Sequence, residues 1–303
     1  MTALRIGTRG SALALTQTGS VADDLATETG VATELVTITT AGDRSTEPLS
    51  QAGGTGLFTS ALRDALVAGE CDVIVHSLKD LPTAPHPDLT IAAIPVREDA
   101  RDALCARDGL TLLKLPTGAR VGTGSPRRAA QLRRQRQDLQ IVDIRGNVDT
   151  RLGRVADGDL DGVLLAAAGL RRLRRTDAIT ELLDLDHWPT APGQGALAVE
   201  VRRGDEHLVE SLDHAESRAA AEAERHVLAI LEAGCSAPLG AHAVVDAGLL
   251  LLSASVYSLD GTIALTASHA AVWPDDAAPL DVAASAAREL LDAGAADLTG
   301  SAR

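Results

Sequence analysis

CDVIVHSLKDLP, residues 71–82, is the stretch on which the reading of the fold turns. Its first part, CDVIVHS (71–77), is an almost unbroken apolar run, the pattern of a parallel strand covered on both faces. Polar residues then enter abruptly, with Lys79 and Asp80 ahead of Pro82. Parallel strands need crossover connections, so strands and helices should alternate on either side. Upstream, LRIGTR (4–9) reads as a strand, Ser11 caps a helix to about Thr27, and ATELVTIT (32–39) alternates as a strand. After Gly56, Leu57, Phe58, Ala61, Leu62, Ala65 and Leu66 fall at helical spacing. Downstream, LTIAAIPV (89–96) completes the unit, and Pro95 with the charged run REDARD (97–102) reads as a crossover.

A second unit repeats the alternation. ARVGTG (119–124) is a strand entering a Gly-Ser turn, and Pro126 suits the first turn of a helix to about Gln137. LQIVDIRG (139–146) is a strand, Val148 to Ala156 a helix, and DGVLLAAAG (161–169) another buried strand. TAPGQGALAVEVR (190–202) crosses back as a strand. Beyond Asp213 the pattern changes to a long helix ending at Gly234, strands at 243–246, 249–258 and 262–270, and an Ala-rich helix at 281–293. The expected domains are residues 1–96 with 196–213, residues 97–195, and an α+β domain over 214–303. Ligands of such α/β folds gather beyond the C-terminal ends of the strands. Arg9, Ser77, Thr123, Arg145 and Ala167 fall near such ends, so a cleft taking loops from both α/β units is expected.

Composition narrows the ligand. The chain has 303 residues and a formal net charge of −14, yet Val121 to Arg154 contains eight arginines. Phe58, Tyr257, Trp188 and Trp273 are the whole aromatic complement. An acidic chain with so few stacking groups argues against nucleic acid and for a small carboxylate or phosphate. Cys71, Cys105 and Cys235 are odd in number and widely spaced, which argues against disulfides and a zinc site and fits a reducing cytoplasm. No signal peptide opens the sequence, and its most apolar run, Gly248 to Leu252, is too short to span a bilayer.

Four constellations could carry chemistry. In GTGSPRR (122–128), Ser125 and the first helical turn offer donors to an anion, while Arg127 and Arg128 add two guanidinium forks. A capped helix with solvated arginines is the competing explanation. RGNVDTR (145–151) sets Arg145 at a strand end and Arg151 one turn into a helix, whereas Arg133, Arg134 and Arg136 read as helix surface. In HSLKDLP (76–82), Asp80 could act as general acid or base or as counter-ion to a cation, with His76 read as a core histidine. In EAGCSAPLG (232–240), Cys235 follows a helix-ending glycine and is either a buried loop thiol or a point of covalent attachment. A dicarboxylate-binding protein that closes on a hinge is one rival, weakened by the lack of a signal peptide. A cysteine hydrolase is another, weakened because only His226 and His242 could serve as its base.

Together these motifs resemble the hydroxymethylbilane synthase (porphobilinogen deaminase) family. The resemblance runs in order through RIGTRGSALAL (5–15), GGTGLFTSALRDAL (53–66), VHSLKDLPT (75–83), GTGSPRRAAQLRR (122–134), RGNVDTRL (145–152), LLAAAGLRRL (164–173), PGQGALAVEVR (192–202) and LEAGCSAPLG (231–240). It implies an α/β fold of two periplasmic-binding-protein-like (type II) lobes joined by a double crossover, with a small α+β C-terminal domain. It also implies a monomeric cytoplasmic enzyme that needs no metal and carries a dipyrromethane cofactor on Cys235 through a thioether. Asp80 would be the catalytic carboxylate, assisting loss of ammonia from porphobilinogen and stabilising the cationic azafulvene-like species. Four such units would be joined, and hydrolysis would release 1-hydroxymethylbilane. Arg9, Arg127, Arg128, Arg145, Arg151 and Arg172 would bind the acetate and propionate groups, supported by Ser11, Ser77, Lys79, Thr123, Ser125, Asn147 and Gln194, with Phe58 beside the rings. The chain departs from many relatives at Thr55, Ser60-Ala61 and Pro126, none of which touches the Cys235, Asp80 and arginine set.

Overall fold

The computed structural model describes residues 3–39, 59–233 and 237–299. The strands in chain order are β1 (Leu4–Thr8), β2 (Thr33–Thr37), β3 (Val73–Ser77), β4 (Leu89–Ala93), β5 (Asp102–Ala106), β6 (Arg120–Gly122) and β7 (Gln140–Val142). They continue with β8 (Gly162–Ala166), β9 (Glu181–Leu182), β10 (Leu197–Arg202), β11 (Leu239–Asp246), β12 (Leu249–Tyr257) and β13 (Ala264–Val272). The helices are α1 (Ala12–Thr29), α2 (Ser60–Val67), α3 (Pro126–Gln135), α4 (Val148–Ala156), α5 (Ala167–Arg172), α6 (Ala215–Ile230), α7 (Ala278–Asp292) and α8 (Ala295–Thr299). The chain divides into two compact units, Met1–Glu98 with Ala196–Arg218 and Asp99–Gly195 with Ala219–Arg303.

The first unit is built on a five-stranded sheet of order β2-β1-β3-β10-β4. β1, β2 and β3 run parallel, while β10 is antiparallel to both of its neighbours. Helix α1 shows why the sequence folds this way locally. Ser11 caps its start by accepting from the Ala14 N–H, and Gly30 at φ 71° closes its end onto the Ala26 carbonyl. Val21, Ala22 and Leu25 lie on its inner face and pack with Ile6, Val73, Val75 and Val199. Each fully buried Leu, Ile or Val in such a cluster contributes about 1.5–3 kcal/mol.

The second unit contains two sheets. One is five-stranded, order β7-β6-β8-β5-β9, and repeats the topology of the first unit, with β5 as its antiparallel member. The other is an antiparallel three-stranded sheet, β11-β12-β13. Leu250, Leu252, Ala254 and Val256 alternate along β12, and all four join a core completed by α6 and α7.

Three local expectations need correction. REDARD is not wholly connection, because Asp102 opens β5. The apolar run 161–169 is not one strand, because β8 ends at Ala166 and α5 takes over directly. An apolar run carries no mark of where period 2 gives way to period 3.6. The first strand after α6 begins at Leu239, ahead of the expected residue 243.

The antiparallel strand of the first unit carries a buried acid. Glu200 is 1% exposed and receives both Nε (3.0 Å) and Nη2 (2.8 Å) of Arg63, with His76 Nε2 at 3.3 Å. The expectation that His76 sits in the core is met. Burial pushes the Glu200 carboxyl up, but His76 and Arg63 hold it below its ordinary value on balance. A depressed folded-state value means that stability is fully present above the ordinary carboxylate range and is lost as pH falls through the folded value. Glu200→Gln should therefore cost about 3 kcal/mol at neutral pH. It should also flatten the fall in thermal midpoint below about pH 4.5, measured by circular dichroism melts across the acid range.

Candidate active site

Both five-stranded sheets present their unusual polar residues beyond the C-terminal ends of their parallel strands. In the first unit, Arg9 follows β1 and Ser11 begins α1. Ser77 ends β3 and leads into a 3₁₀ turn over Leu78–Asp80. Leu78 and Leu81 are buried at 0% and 1% exposure and pin this turn, which leaves Asp80 exposed and Lys79 half-buried between them. The Ser77 hydroxyl exchanges hydrogen bonds with the Gln17 carboxamide, accepting from Nε2 at 3.1 Å and donating to Oε1 at 3.3 Å. Gln17 is buried on α1 and was not among the expected site residues. A glutamine on the inner face of an otherwise apolar helical stripe is the signal that could have found it.

In the second unit, Thr123 and Ser125 follow β6. Thr123 Oγ1 accepts from the Ser125 N–H (3.2 Å), and Ser125 Oγ caps α3 by accepting from the Arg128 N–H (3.4 Å). Arg145 lies exposed three residues beyond β7. Gly146, at φ 104°, makes the turn that side chains resist. Asn147 caps α4, its Oδ1 accepting from the N–H (2.8 Å) and the hydroxyl (2.9 Å) of Thr150. Arg151 Nε donates to the Gly146 carbonyl at 2.8 Å. Arg172 ends α5 and donates from Nη2 to the Gly195 carbonyl at 2.7 Å. Phe58 and Cys235 lie outside the described residues.

The residue that organises this group was missed. Asp102 is fully buried, and its two oxygens accept four hydrogen bonds. Arg128 Nη2 (2.6 Å) and Gln194 Nε2 (2.8 Å) reach Oδ1, while Arg127 Nη2 (2.9 Å) and Trp188 Nε1 (2.9 Å) reach Oδ2. Burial alone would raise the Asp102 carboxyl, but Arg127 and Arg128 hold it far below the carboxylate range. A charge opening a buried strand needs a partner, and that was the available signal. Gln194, 1% exposed, also donates to the carbonyls of Ala100 (2.8 Å) and Arg101 (3.3 Å). Its loop is fixed by Glu224, which is fully buried and accepts from the N–H groups of Gly193 (2.6 Å) and Ala243 (2.8 Å).

The arginines separate by partner. Arg127 is 3% exposed and turns inward, donating through Nη1 to Gln131 Oε1 (2.7 Å) and the Pro189 carbonyl (3.1 Å). Gly240 of β11 must be glycine for this packing, since a Cβ there would stand 2.5 Å from the Pro189 oxygen and 3.2 Å from Arg127 Cδ. Arg128 donates through Nη1 to the Leu164 carbonyl (3.0 Å). Nε of both Arg127 and Arg128 is buried with no hydrogen-bond partner. Arg151 is pressed down by burial and then by the charges of Arg128 and Arg145, with Asp143 opposing. Of the three arginines expected on the helix surface only Arg134 is exposed. Arg136 bonds to Asp138 and to the carbonyls of Leu112, Leu113 and Leu115, and Arg133 donates to Leu259 O.

Two guanidiniums share one buried carboxylate here, an excess of one positive charge, with Arg145 and Arg151 nearby and Asp143 as the opposing acid. Such a site suits a ligand bearing several carboxylates. Residues 4–210 match the family model for the porphobilinogen deaminase dipyrromethane cofactor-binding domain, and residues 219–292 match that for its C-terminal domain. The chain belongs to the porphobilinogen deaminase family. It is 61% identical to porphobilinogen deaminase of Leifsonia xyli over 98% of this chain and 94% of that protein. It is 50% identical to the Corynebacterium glutamicum enzyme over 98% of each. Among solved structures, the periplasmic VFT2 domain of Bordetella pertussis BvgS superposes with TM-score 0.41 at 17% identity, over 69% of this chain and 85% of that one. As a family member the chain is a transferase of the hydroxymethylbilane synthase type, acting in tetrapyrrole biosynthesis. No described helix is long and apolar enough to cross a membrane.

The repulsion acting on Arg151 yields a test. Its charge is disfavoured in the folded protein without ligand, so Arg151→Gln should leave the thermal midpoint of cofactor-free protein unchanged or raised. Its kcat/KM for porphobilinogen should nevertheless fall about tenfold or more. Scanning fluorimetry beside steady-state kinetics checks both halves.

Proposed function

We propose that Asp80 is the catalytic carboxylate of this family member, that Cys235 holds its dipyrromethane, and that the arginines of the second unit bind pyrrole carboxylates. The observation that carries this reading is the unbalanced positive charge around Asp102, Arg127 and Arg128, with Arg145 and Arg151 in the same field. A dipyrromethane and a growing pyrrole chain bring an acetate and a propionate with every ring, which fits a donor set of guanidiniums and orphaned N–H groups. When bound, the cofactor supplies the pyrrole carbon to which the chain is extended.

The protein's own groups divide the remaining work. Asp80, exposed at the end of the pinned turn, accepts pyrrole N–H groups and offsets the positive charge that develops as ammonia leaves porphobilinogen. Gln17 fixes the Ser77 hydroxyl two residues before Lys79 and so steadies the start of that turn. Arg128, Arg145 and Arg151 hold carboxylates, and Arg9 and Arg172 extend that set. Arg127 supports the others from inside, because it is 3% exposed and packed against Gly240 and Pro189. Thr123, Ser125 and Asn147 shape the two turns through their caps, and Gln194 bridges Asp102 to Arg128. The enzyme is read as a cytoplasmic monomer whose residues 214–303 form the domain that carries the Cys235 loop.

Intact mass spectrometry of the purified protein tests the assignment. The expected mass exceeds the sequence mass by two linked pyrrole units, and Cys235→Ser loses the excess. Full activity at the bare sequence mass would remove the cofactor from the proposal. Asp80→Ala should keep the added mass while turnover drops about a hundredfold or more. Near-normal turnover in that variant would exclude Asp80.

A further inference from the structure

Asp102 has no path to a substrate, being fully buried beneath four donors. A carboxylate has about four lone-pair positions. Here all are taken, two on each oxygen, so Asp102 has no acceptor capacity left for water or ligand. Two of the donors, Trp188 and Gln194, are neutral and set the plane of the group. The other two are charged, and one would have sufficed to neutralise it. A purely structural ion pair with a surplus guanidinium is a costly arrangement in a dry interior.

The two arginines differ in what surrounds them. Arg127 directs both terminal nitrogens to protein acceptors and is built into the packing against Gly240 and Pro189. Arg128 is held at Nη1 by the carbonyl of Leu164, the middle residue of β8, and at Nη2 by Asp102 and Gln194. Its backbone N–H lies in the capped first turn of α3. Three elements thus converge on one guanidinium, and its charge is felt by Arg151 across the turn that precedes α4.

We propose that Asp102 is a positioning residue for the carboxylate-binding arginines, clamping the Arg128 guanidinium in one orientation while balancing only one of the two charges it holds. The proposal rests on the functional reading above and adds to it a residue that never meets the substrate. Asp102 acts through Arg128. It keeps the fork pre-organised, so the pyrrole carboxylates meet a fixed positive group with no side-chain ordering left to do.

The test compares the cofactor-loaded parent with Asp102→Asn, Asp102→Glu and Trp188→Phe. Three readouts are taken: cofactor content by intact mass, KM against kcat for porphobilinogen, and thermal midpoint. Asp102→Asn should either lose most of its cofactor or raise KM about tenfold or more. Asp102→Glu, which restores the charge, should recover part of the loss. Trp188→Phe removes one donor without changing any charge. It should stay folded and loaded, with KM raised about threefold and kcat within about twofold. A fall in thermal midpoint with KM unchanged in the folded variants would overturn the proposal, because a merely structural acid moves stability alone. Should Asp102→Asn fail to fold, Asp102→Glu and Trp188→Phe decide by the same criterion. A parent that carries no added mass and does not consume porphobilinogen would remove the functional reading and this inference with it. A loaded, active parent whose variants keep its KM would remove this inference alone.

Discussion

One buried carboxylate shared by two arginines governs the second unit. Asp102 gathers the start of β5, the first turns of α3 and the Trp188–Gln194 segment, and through Arg128 it reaches the Leu164 carbonyl on β8. None of these segments neighbours another in sequence, and each contributes a donor or an acceptor that would be expensive to bury alone. Satisfied together they form a rigid polar knot at the end of the sheet where ligands of this topology gather. The knot carries two guanidinium charges against one carboxylate, and on the function proposed here that excess makes it a binding site as well as a structural joint.

The first unit uses the same device without the surplus. Its sheet has the same strand order, and its antiparallel strand likewise carries a buried acid, Glu200 on β10 as against Asp102 on β5. Glu200 meets one arginine in a bidentate pair and a histidine beside it. In both sheets the antiparallel strand lies beside a parallel strand followed by candidate site residues, β3 in one and β8 in the other. Asp102 stands level with Ala166, the last residue of β8, and anchors side chains that frame that end, whereas Glu200 stands level with Ile74 near the start of β3. One acid to one arginine gives an anchor. One acid to two arginines gives an anchor with charge left over.

The alternation of strands and helices was legible because parallel strands covered on both faces must be continuous apolar runs, and CDVIVHS and DGVLLAAAG are such runs. Two of the turns were legible from their caps, since Ser11 and Ser125 each lie immediately before a helix and accept as caps do, and the structure adds Asn147 to them. What escaped was pairing. Asp102 closes a charged hexapeptide and is separated from Arg127 by 25 residues, so no local pattern could join them. The boundary between β8 and α5 escaped because Ala166 and Ala167 suit either state. Gln17 escaped because its partner, Ser77, is 60 residues away on another strand.

The arginines show why residue type alone could not assign function. A guanidinium has five donors in a rigid fork, so it can satisfy carbonyls and carboxylates with equal ease. Arg136 spends that capacity on three backbone carbonyls and Asp138, and becomes a staple. Arg127 spends it on Asp102, Gln131 and Pro189, and becomes part of the core. Arg128 has the same neighbouring acid, which also bridges Arg127 and so offsets only one of the two charges. Arg151 donates from Nε to the Gly146 carbonyl, and burial with the like charges of Arg128 and Arg145 disfavours its charge against the opposing Asp143. Neighbouring arginines in one motif thus range from core packing to the proposed ligand-binding role according to the acceptors each finds. A basic run in an acidic protein marks an anion site only where those acceptors fall short of the charge.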